Sequence, residues 1–206
     1  MIARFLLTWL ARRNVPAEFT FPKALRDAKR VMILMPSVNE ALRQAEVFLS
    51  RVRRVFPKAE ITLLYPPRTM VARYYNPFGF KNVVPEKKDV WWWGLPRKKF
   101  TATLIAKPFD VLITLNREQS VFFGAVTVQS GAPVRMGLPN GMGDPFVNVE
   151  LRHGRETADI KTEFILFIDM IRKLATGTTP GSDSAIAGAA ERPTRDLPGR
   201  TNIAHP

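Results

Sequence analysis

The chain has 206 residues, of which 46% are hydrophobic, and it contains no cysteine. This length suits one domain with a sizeable core, and the lack of cysteine excludes disulfides, thiolate zinc sites and cysteine nucleophiles. The 31 basic and 18 acidic residues give a net charge of +13. That charge favours contact with nucleic acid, acidic lipid or a phosphorylated ligand, unless it serves solubility alone.

Residues 1–28 form a basic leader that carries a short amphipathic pattern. Its apolar residues recur at helical spacing: Ile2, Phe5, Leu6, Trp9 and Leu10. With arginines on either side, such a helix is typical of binding at a membrane surface, with Trp9 at the interface. Packing of the helix on the domain explains the pattern equally well.

Neither a membrane span nor an export signal is evident. No apolar run reaches the roughly 20 residues that a span requires, and no signal-peptide cleavage site follows the leader. We therefore predict a cytoplasmic protein, with peripheral attachment to the inner membrane face if the leader binds lipid.

Strand and helix patterns alternate through residues 29–175. An apolar run at 31–35 predicts a strand buried on both faces, a periodic stretch at 40–55 predicts a helix, and 61–65 predicts the next strand. Further elements follow in order: a weak strand at 82–84, a strand at 111–115, a helix at 118–128, a short strand at 134–136 and a closing helix at 156–175. This alternation predicts the α/β class, as one Rossmann-like open parallel sheet with helices on both faces.

The last segment, residues 176–206, is rich in Gly, Ala, Pro, Ser and Thr and shows no apolar period. Such a segment buries too little surface to offset the entropy of ordering it. We predict that it is a disordered tail.

Two loops follow strands and precede helices, which is where open α/β sheets bind ligands and where free N–H groups favour anions. The candidate ligand-binding residues are Ser37, Asn39 and Glu40 in the first loop and Asn116, Arg117 and Glu118 in the second. Helix capping by Ser37, Asn39 or Asn116 is the simpler interpretation of the same residues.

The common cofactor and metal patterns are missing. There is no G-x-G-x-x-G and no G-x-x-x-x-G-K-[ST], and the glycine-rich stretch 137–144 is interpreted as a flexible turn. His153 and His205 lie far apart in the sequence. We predict no cofactor and no metal site.

Three of the four tryptophans lie between two basic clusters. The segment contains Lys87, Lys88, Trp91, Trp92, Trp93, Arg97, Lys98 and Lys99. Aromatic rings framed by basic residues suit contact with a bilayer interface or stacking on single-stranded nucleic acid. The alternative is a loop whose tryptophans fold back onto the sheet.

Several stretches together resemble glycosyltransferase family 9, the heptosyltransferases of lipopolysaccharide assembly. Residues 30–35 and 56–61 (RVMILM and FPKAEI) resemble the opening of that family, and 109–115 (FDVLITL) and 130–137 (SGAPVRMG) resemble two later steps. The resemblance covers about residues 29–175. It implies the acceptor-side half of a GT-B architecture, without the donor-binding domain.

The first loop departs from the family pattern. The Gly-Asp of the family, whose aspartate is the proposed base, falls on Glu40 and Ala41, and Met35 stands where the family has a basic residue. Glu40 is a weak candidate base because one residue on a helix is roughly 100° of rotation. The resemblance therefore implies no catalytic residue.

These residues lead to one expected function and two alternatives. We expect a stand-alone family-9-like domain, inactive alone, that is a binding or partner subunit in cell-envelope glycan and lipopolysaccharide assembly and takes a glycan or glycolipid ligand. The first alternative is an active hexosyl- or heptosyltransferase, using a nucleotide sugar, that a partner chain completes with a donor domain. The second is a basic nucleic-acid-binding protein.

Overall fold

A computed structural model describes residues 18–67, 78–138, 143, 145–150 and 159–178. Most of the leader, including Trp9, lies outside the described residues, and so do residues 179–206 of the tail. The expectations for the leader helix and for tail disorder therefore stay predictions.

Six parallel strands form one sheet in the described part of the chain. They are β1 (Arg30–Leu34), β2 (Glu60–Leu64), β3 (Lys81–Val83), β4 (Val111–Thr114), β5 (Val134–Gly137) and β6 (Val149–Glu150), in the spatial order β3-β2-β1-β4-β5-β6. The α/β class and the open parallel sheet are confirmed. Strand β6, which is only two residues long, was not predicted.

Five α-helices accompany the sheet within the described residues. They are α1 (Lys23–Arg26), α2 (Asn39–Val55), α3 (Lys98–Leu104), α4 (Val121–Gln129) and α5 (Ile160–Thr176). The predicted start of α4 at residue 118 is wrong, because the Ser120 hydroxyl accepts a bond from the Phe123 N–H and caps the helix there. In the same way, α5 begins only after its cap, Asp159.

Strand β1 is buried on both faces, as the continuous apolar run predicted. Val31 and Ile33 pack in one core cluster and Met32 and Leu34 in the other. The first cluster lies under α2 and α5, whose Phe48 and Phe167 rings are 5.8 Å apart. The second lies under α4, so helices cover both faces of the sheet.

Part of the segment assigned to the leader packs on the domain. Leu25 of α1 is fully buried in the first core cluster, and α1 contacts α5. The left-handed Gly177 that ends α5 lies close to Pro22, since a Cβ there would be 3.5 Å from the proline ring. Residues next to β1 thus hold the closing helix at its end.

The cap of α5 leads to a prediction about pH. Hydrogen bonds lower the pKa of Asp159, first that from the Thr162 hydroxyl and then those from the Lys161 and Thr162 N–H groups. A depressed native pKa stabilises the fold above the ordinary carboxyl value of about 4, and this contribution is lost as the pH falls through the native value. Asp159→Ala should therefore lower the Tm at pH 7, and the gap to wild type should narrow in acid.

Thermal melts across the acidic range test this prediction. Glu46→Ala, on the exposed side of α2, is the control, and its smaller effect should not follow the same profile. A gap for Asp159→Ala that stays constant from neutral pH into strong acid would contradict the role of the carboxylate.

Candidate functional site

The candidate site lies where β1 and β4 end side by side. The connection from β1 runs through α2 to β2 on one side, and that from β4 runs through α4 to β5 on the other. Because α2 and α4 cover opposite faces, the chain leaves the two strand ends toward opposite faces of the sheet, and we call the region where the two loops begin the crevice. Open α/β sheets bind ligands at such a switch in strand order.

The structure brings the two predicted loops into contact. The Ser37 hydroxyl donates to Asn116 Oδ1 at 3.3 Å, although the two residues are 79 positions apart. Asn116 is 1% exposed, and its N–H donates to the Thr114 hydroxyl. No protein acceptor within the described residues bonds Asn116 Nδ2. A buried amide donor is thus held at the crevice with its hydrogen-bonding capacity unused by this part of the chain.

The capping interpretation of these residues is wrong. The N-cap of α2 is Val38, and no side chain caps that helix, while α4 is capped by Ser120 and not by Asn116. The N–H groups of the first turn of α2 have no partner within the helix. They therefore add backbone donors to the same crevice.

Arg117 is only partly available for a ligand. Its Nε lies 3.5 Å from Glu163 Oε2 on α5, as an ion pair without a hydrogen bond. The Glu163 side chain is 7% exposed and that of Arg117 44%. Glu163 was not among the predicted residues, although a carboxylate directly before the buried Phe164 of α5 is a signal for a paired charge.

The first turn of α2 carries two different surfaces. Glu40 is exposed, as are Asn39 and Glu118, whereas Ala41 is 5% exposed and faces the core. Met35, at the end of β1, is also buried. Exposed carboxylates therefore follow both strands, Glu40 in the first turn of α2 and Glu118 in the second loop, while the position that the resemblance assigns to the base is apolar.

The tryptophans form a hairpin. Val90 bridges Pro96, the Trp91 N–H donates to the Leu95 carbonyl at 2.8 Å, and Gly94 makes the turn with φ of 91°. Trp91, Trp92 and Trp93 are 42%, 88% and 48% exposed. The alternative in which they fold back onto the sheet is therefore wrong.

The hairpin lies at the same end of the molecule as the crevice. A Cβ on Gly94 would be 3.9 Å from Cβ of Val121, the first residue of α4. The loop that holds Asn116 leads directly into that helix. Sequence spacing alone could not place the two features together.

Neither a metal cluster nor a spanning helix is present in the described ranges. These residues contain no group of three His, Asp or Glu side chains that could hold a metal ion, and both histidines lie outside them. Among the same residues, no helix is long and apolar enough to cross a membrane.

Comparisons with known sequences identify one partial match. A family of unknown function, DUF6913, matches residues 69–168, which is just under half of the chain. The matched range includes the tryptophan hairpin, β4, α4 and β5. No curated protein matches.

Three solved structures share the fold. A family 9 glycosyl transferase from Veillonella parvula DSM 2008 is similar with a TM-score of 0.54 and 20% identity, over 77% of this chain and 45% of that one. The E. coli ADP-heptose lps heptosyltransferase II gives a TM-score of 0.53 and 16% identity, over 76% and 45%. E. coli heptosyltransferase WaaC with ADP gives 0.50 and 13%, over 77% and 50%.

These neighbours define the class of fold. The chain has a glycosyltransferase-family-9-like, α/β fold of the GT-B kind. It spans about half the length of the structures that it matches. At such low identity the likeness concerns the fold, and activity has to be argued from the site.

The ion pair between the second loop and α5 leads to a prediction about stability. Removing Arg117 leaves the buried Glu163 carboxylate without its cation, so Arg117→Met and Glu163→Gln should each destabilise the fold. Because Arg117 is partly exposed, the coupling energy in a double-mutant cycle should be only about 0.5–1 kcal/mol. Urea denaturation of the four proteins measures it.

The control is the exposed pair of Lys88 and Glu86, 2.9 Å apart. Its cycle should give a smaller coupling, because water screens both groups. Strictly additive effects of the Arg117 and Glu163 variants would show that the pair does not join the loop to α5.

Proposed function

We propose that this chain is a non-catalytic, family-9-like binding domain, equivalent to the acceptor side of a GT-B enzyme, that binds a glycan or glycolipid. Its role would be that of a binding or partner subunit in cell-envelope glycan assembly. The observation that carries the proposal is the Ser37–Asn116 contact at the strand switch, with a buried amide donor that the described part of the chain leaves unused.

The mixture of groups at the crevice favours a polyhydroxyl ligand over a bare anion. Asn116 Nδ2 and the first-turn N–H groups of α2 donate, while the exposed Glu40 and Glu118 accept hydrogen bonds from hydroxyls. The two carboxylates would repel a multiply charged anion at short range. Arg117, which lies next to Asn116 and Glu118 in the sequence, is paired with Glu163. A sugar, which both donates and accepts, suits this arrangement.

The first turn of α2 supports a non-catalytic role. A general base must come within hydrogen-bond reach of the proton it removes. Ala41 has no proton acceptor and faces the core, and Glu40 is exposed on a different side of the helix. The three similar structures are glycosyl transferases, which supports the fold and a sugar-containing ligand for this chain but no catalysis.

Ligand binding can be tested with a neutral heptose- or hexose-containing oligosaccharide in calorimetric titration, with inorganic phosphate as the bare-anion comparison. Asn116→Leu should weaken binding about tenfold, which is the effect of one lost hydrogen bond in a buried setting. The same variant should not lower the Tm, because the described chain gives Nδ2 no partner and the exposed Ser37 hydroxyl can bond water.

The matched control is Ser50→Ala, which removes an exposed hydroxyl of the same helix that bonds only the Val47 carbonyl in the described contacts. It should leave both binding and the Tm unchanged. Equal affinity of wild type and Asn116→Leu for the oligosaccharide would place the binding site elsewhere.

Catalysis is tested separately. The purified chain should neither hydrolyse nor transfer a nucleotide sugar such as ADP-heptose above background, since it lacks a positioned base. Product formation is followed by mass spectrometry, with Glu40→Gln as the diagnostic variant.

Turnover by the wild type that Glu40→Gln abolishes would overturn the non-catalytic role. Turnover that begins only when a donor-domain protein co-purified from the host is added would favour the alternative of a divided glycosyltransferase.

A further inference from the structure

The tryptophan hairpin, residues 86–99, is an exposed aromatic and basic surface that the crevice does not use. We propose that it docks the protein on the anionic surface of a lipid bilayer. Trp92 is 88% exposed, and the amphipathic ring of tryptophan prefers the level of the lipid headgroups. Tryptophan is highly buried on average, so a ring this exposed is a candidate contact with a partner surface.

Backbone bonds hold the hairpin rigid before any partner arrives. Glu86 and Asp89 form a reciprocal capping box around a 3-10 turn at Lys87–Asp89. The Arg97 N–H donates to the Asp89 carbonyl at 2.7 Å and closes the base of the hairpin. Docking therefore orders few groups, and most of the interaction free energy is kept.

The charges around the rings fit an anionic leaflet. Lys87, Lys88, Arg97, Lys98 and Lys99 are all exposed. Two carboxylates lie among these cations. Glu86 forms an ion pair with Lys88 at 2.9 Å, and Asp89 accepts a hydrogen bond from the Glu86 N–H. Each basic residue brought near an anionic leaflet strengthens partitioning about fivefold.

Packing among the rings favours lipid over single-stranded nucleic acid. Base stacking needs aromatic faces that are free. Here Trp93 lies 5.6 Å from Trp91 and 5.2 Å from Trp92, and the Arg97 guanidinium covers the Trp91 ring at 4.3 Å, so only Trp92 is left as a largely free ring. The rings form one compact apolar wedge with polar N–H edges, which suits an interface better than a row of stacked bases.

Docking through the hairpin would bring the bilayer close to the crevice. Gly94 lies against Val121 at the start of α4, at the end of the sheet where the crevice opens. A bilayer bound by the hairpin would lie near that end, where a ligand with a lipid anchor could reach it. Docking through the hairpin does not require the crevice to bind a glycan.

Vesicle flotation of the full chain tests the proposal. The probes are vesicles of phosphatidylcholine alone and with about one third phosphatidylglycerol. Binding should require the anionic lipid and weaken as salt rises. Lys98→Glu with Lys99→Glu should reduce partitioning about 25-fold or more, and Trp92→Ala should reduce it about tenfold through lost apolar burial.

The control is Lys58→Glu with Lys107→Glu, which changes the net charge equally at exposed positions preceding β2 and β4. It should bind nearly as wild type. Because Trp92 contributes little to the core, its variant should keep the wild-type Tm, so a loss of binding by Trp92→Ala is not a loss of folding.

On binding, tryptophan fluorescence should shift to the blue, and less so in Trp92→Phe.

Three results would overturn the proposal. The first is equal loss of binding in the control pair, which would indicate net charge alone. The second is undiminished binding by Trp92→Ala, which would indicate the leader or another surface. The third is no vesicle binding by a folded protein, with Trp92-dependent binding of single-stranded RNA or Trp92-dependent dimerisation in its place.

Discussion

The parallel pairing of β1 with β4 is the contact on which the remainder of the molecule depends. Val31 aligns with Val111 and Leu34 with Thr114, so both strands end at the same level. The Asp110 carboxylate accepts the Lys29 N–H at 2.7 Å and the Arg30 N–H at 2.9 Å, and this anchors the register at the amino end. A register shift of either strand would separate Ser37 from Asn116 and remove the contact between the two loops.

The motifs that resemble glycosyltransferase family 9 have structural roles here. Asp110 anchors the β1–β4 register, and the rings and aliphatic chains of Phe56, Ala59 and Ile61 are buried core. Gly137 is required by close packing, since a Cβ there would meet Val147 at 2.9 Å and Thr114 at 3.0 Å. These residues specify the fold, so the resemblance persists through them although it fails at Ala41, where the resemblance implies a carboxylate.

Local pattern predicted the sheet well because both faces of its central strands are buried. A continuous apolar run such as 31–35 has only one good structural solution, and β1, β2 and β4 lie within a residue of expectation. The glycine-rich stretch was different: Gly137 belongs to β5 and not to a turn. Its role is set by Val147 and Thr114, which no local pattern reveals.

The candidate site was harder to read, because its decisive contacts join distant residues. Both loops were identified from their places after strands, yet the Ser37–Asn116 bond and the Arg117–Glu163 pair span 79 and 46 positions. Helix capping was the reasonable local interpretation of Ser37, Asn39 and Asn116. It was wrong because the Asn116 side chain accepts the Ser37 hydroxyl of the neighbouring loop, and Val38 and Ser120 occupy the N-cap positions.

Residues of the candidate surfaces depart from the usual preferences for helix caps, for pairing of buried amides and for burial of tryptophan. Valine is among the poorest residues for an N-cap, yet Val38 holds that position on α2 and is 47% exposed. Asn116 buries an amide without a partner in the described chain, and Trp92 leaves most of its ring in solvent. Each choice is unfavourable for the isolated fold, although the buried hydroxyls of Thr62 and Thr127 also have no partner within the described residues. Selection for stability alone would cap α2, pair Asn116 and bury Trp92, and their shared location at one end of the sheet supports the proposals that place binding there.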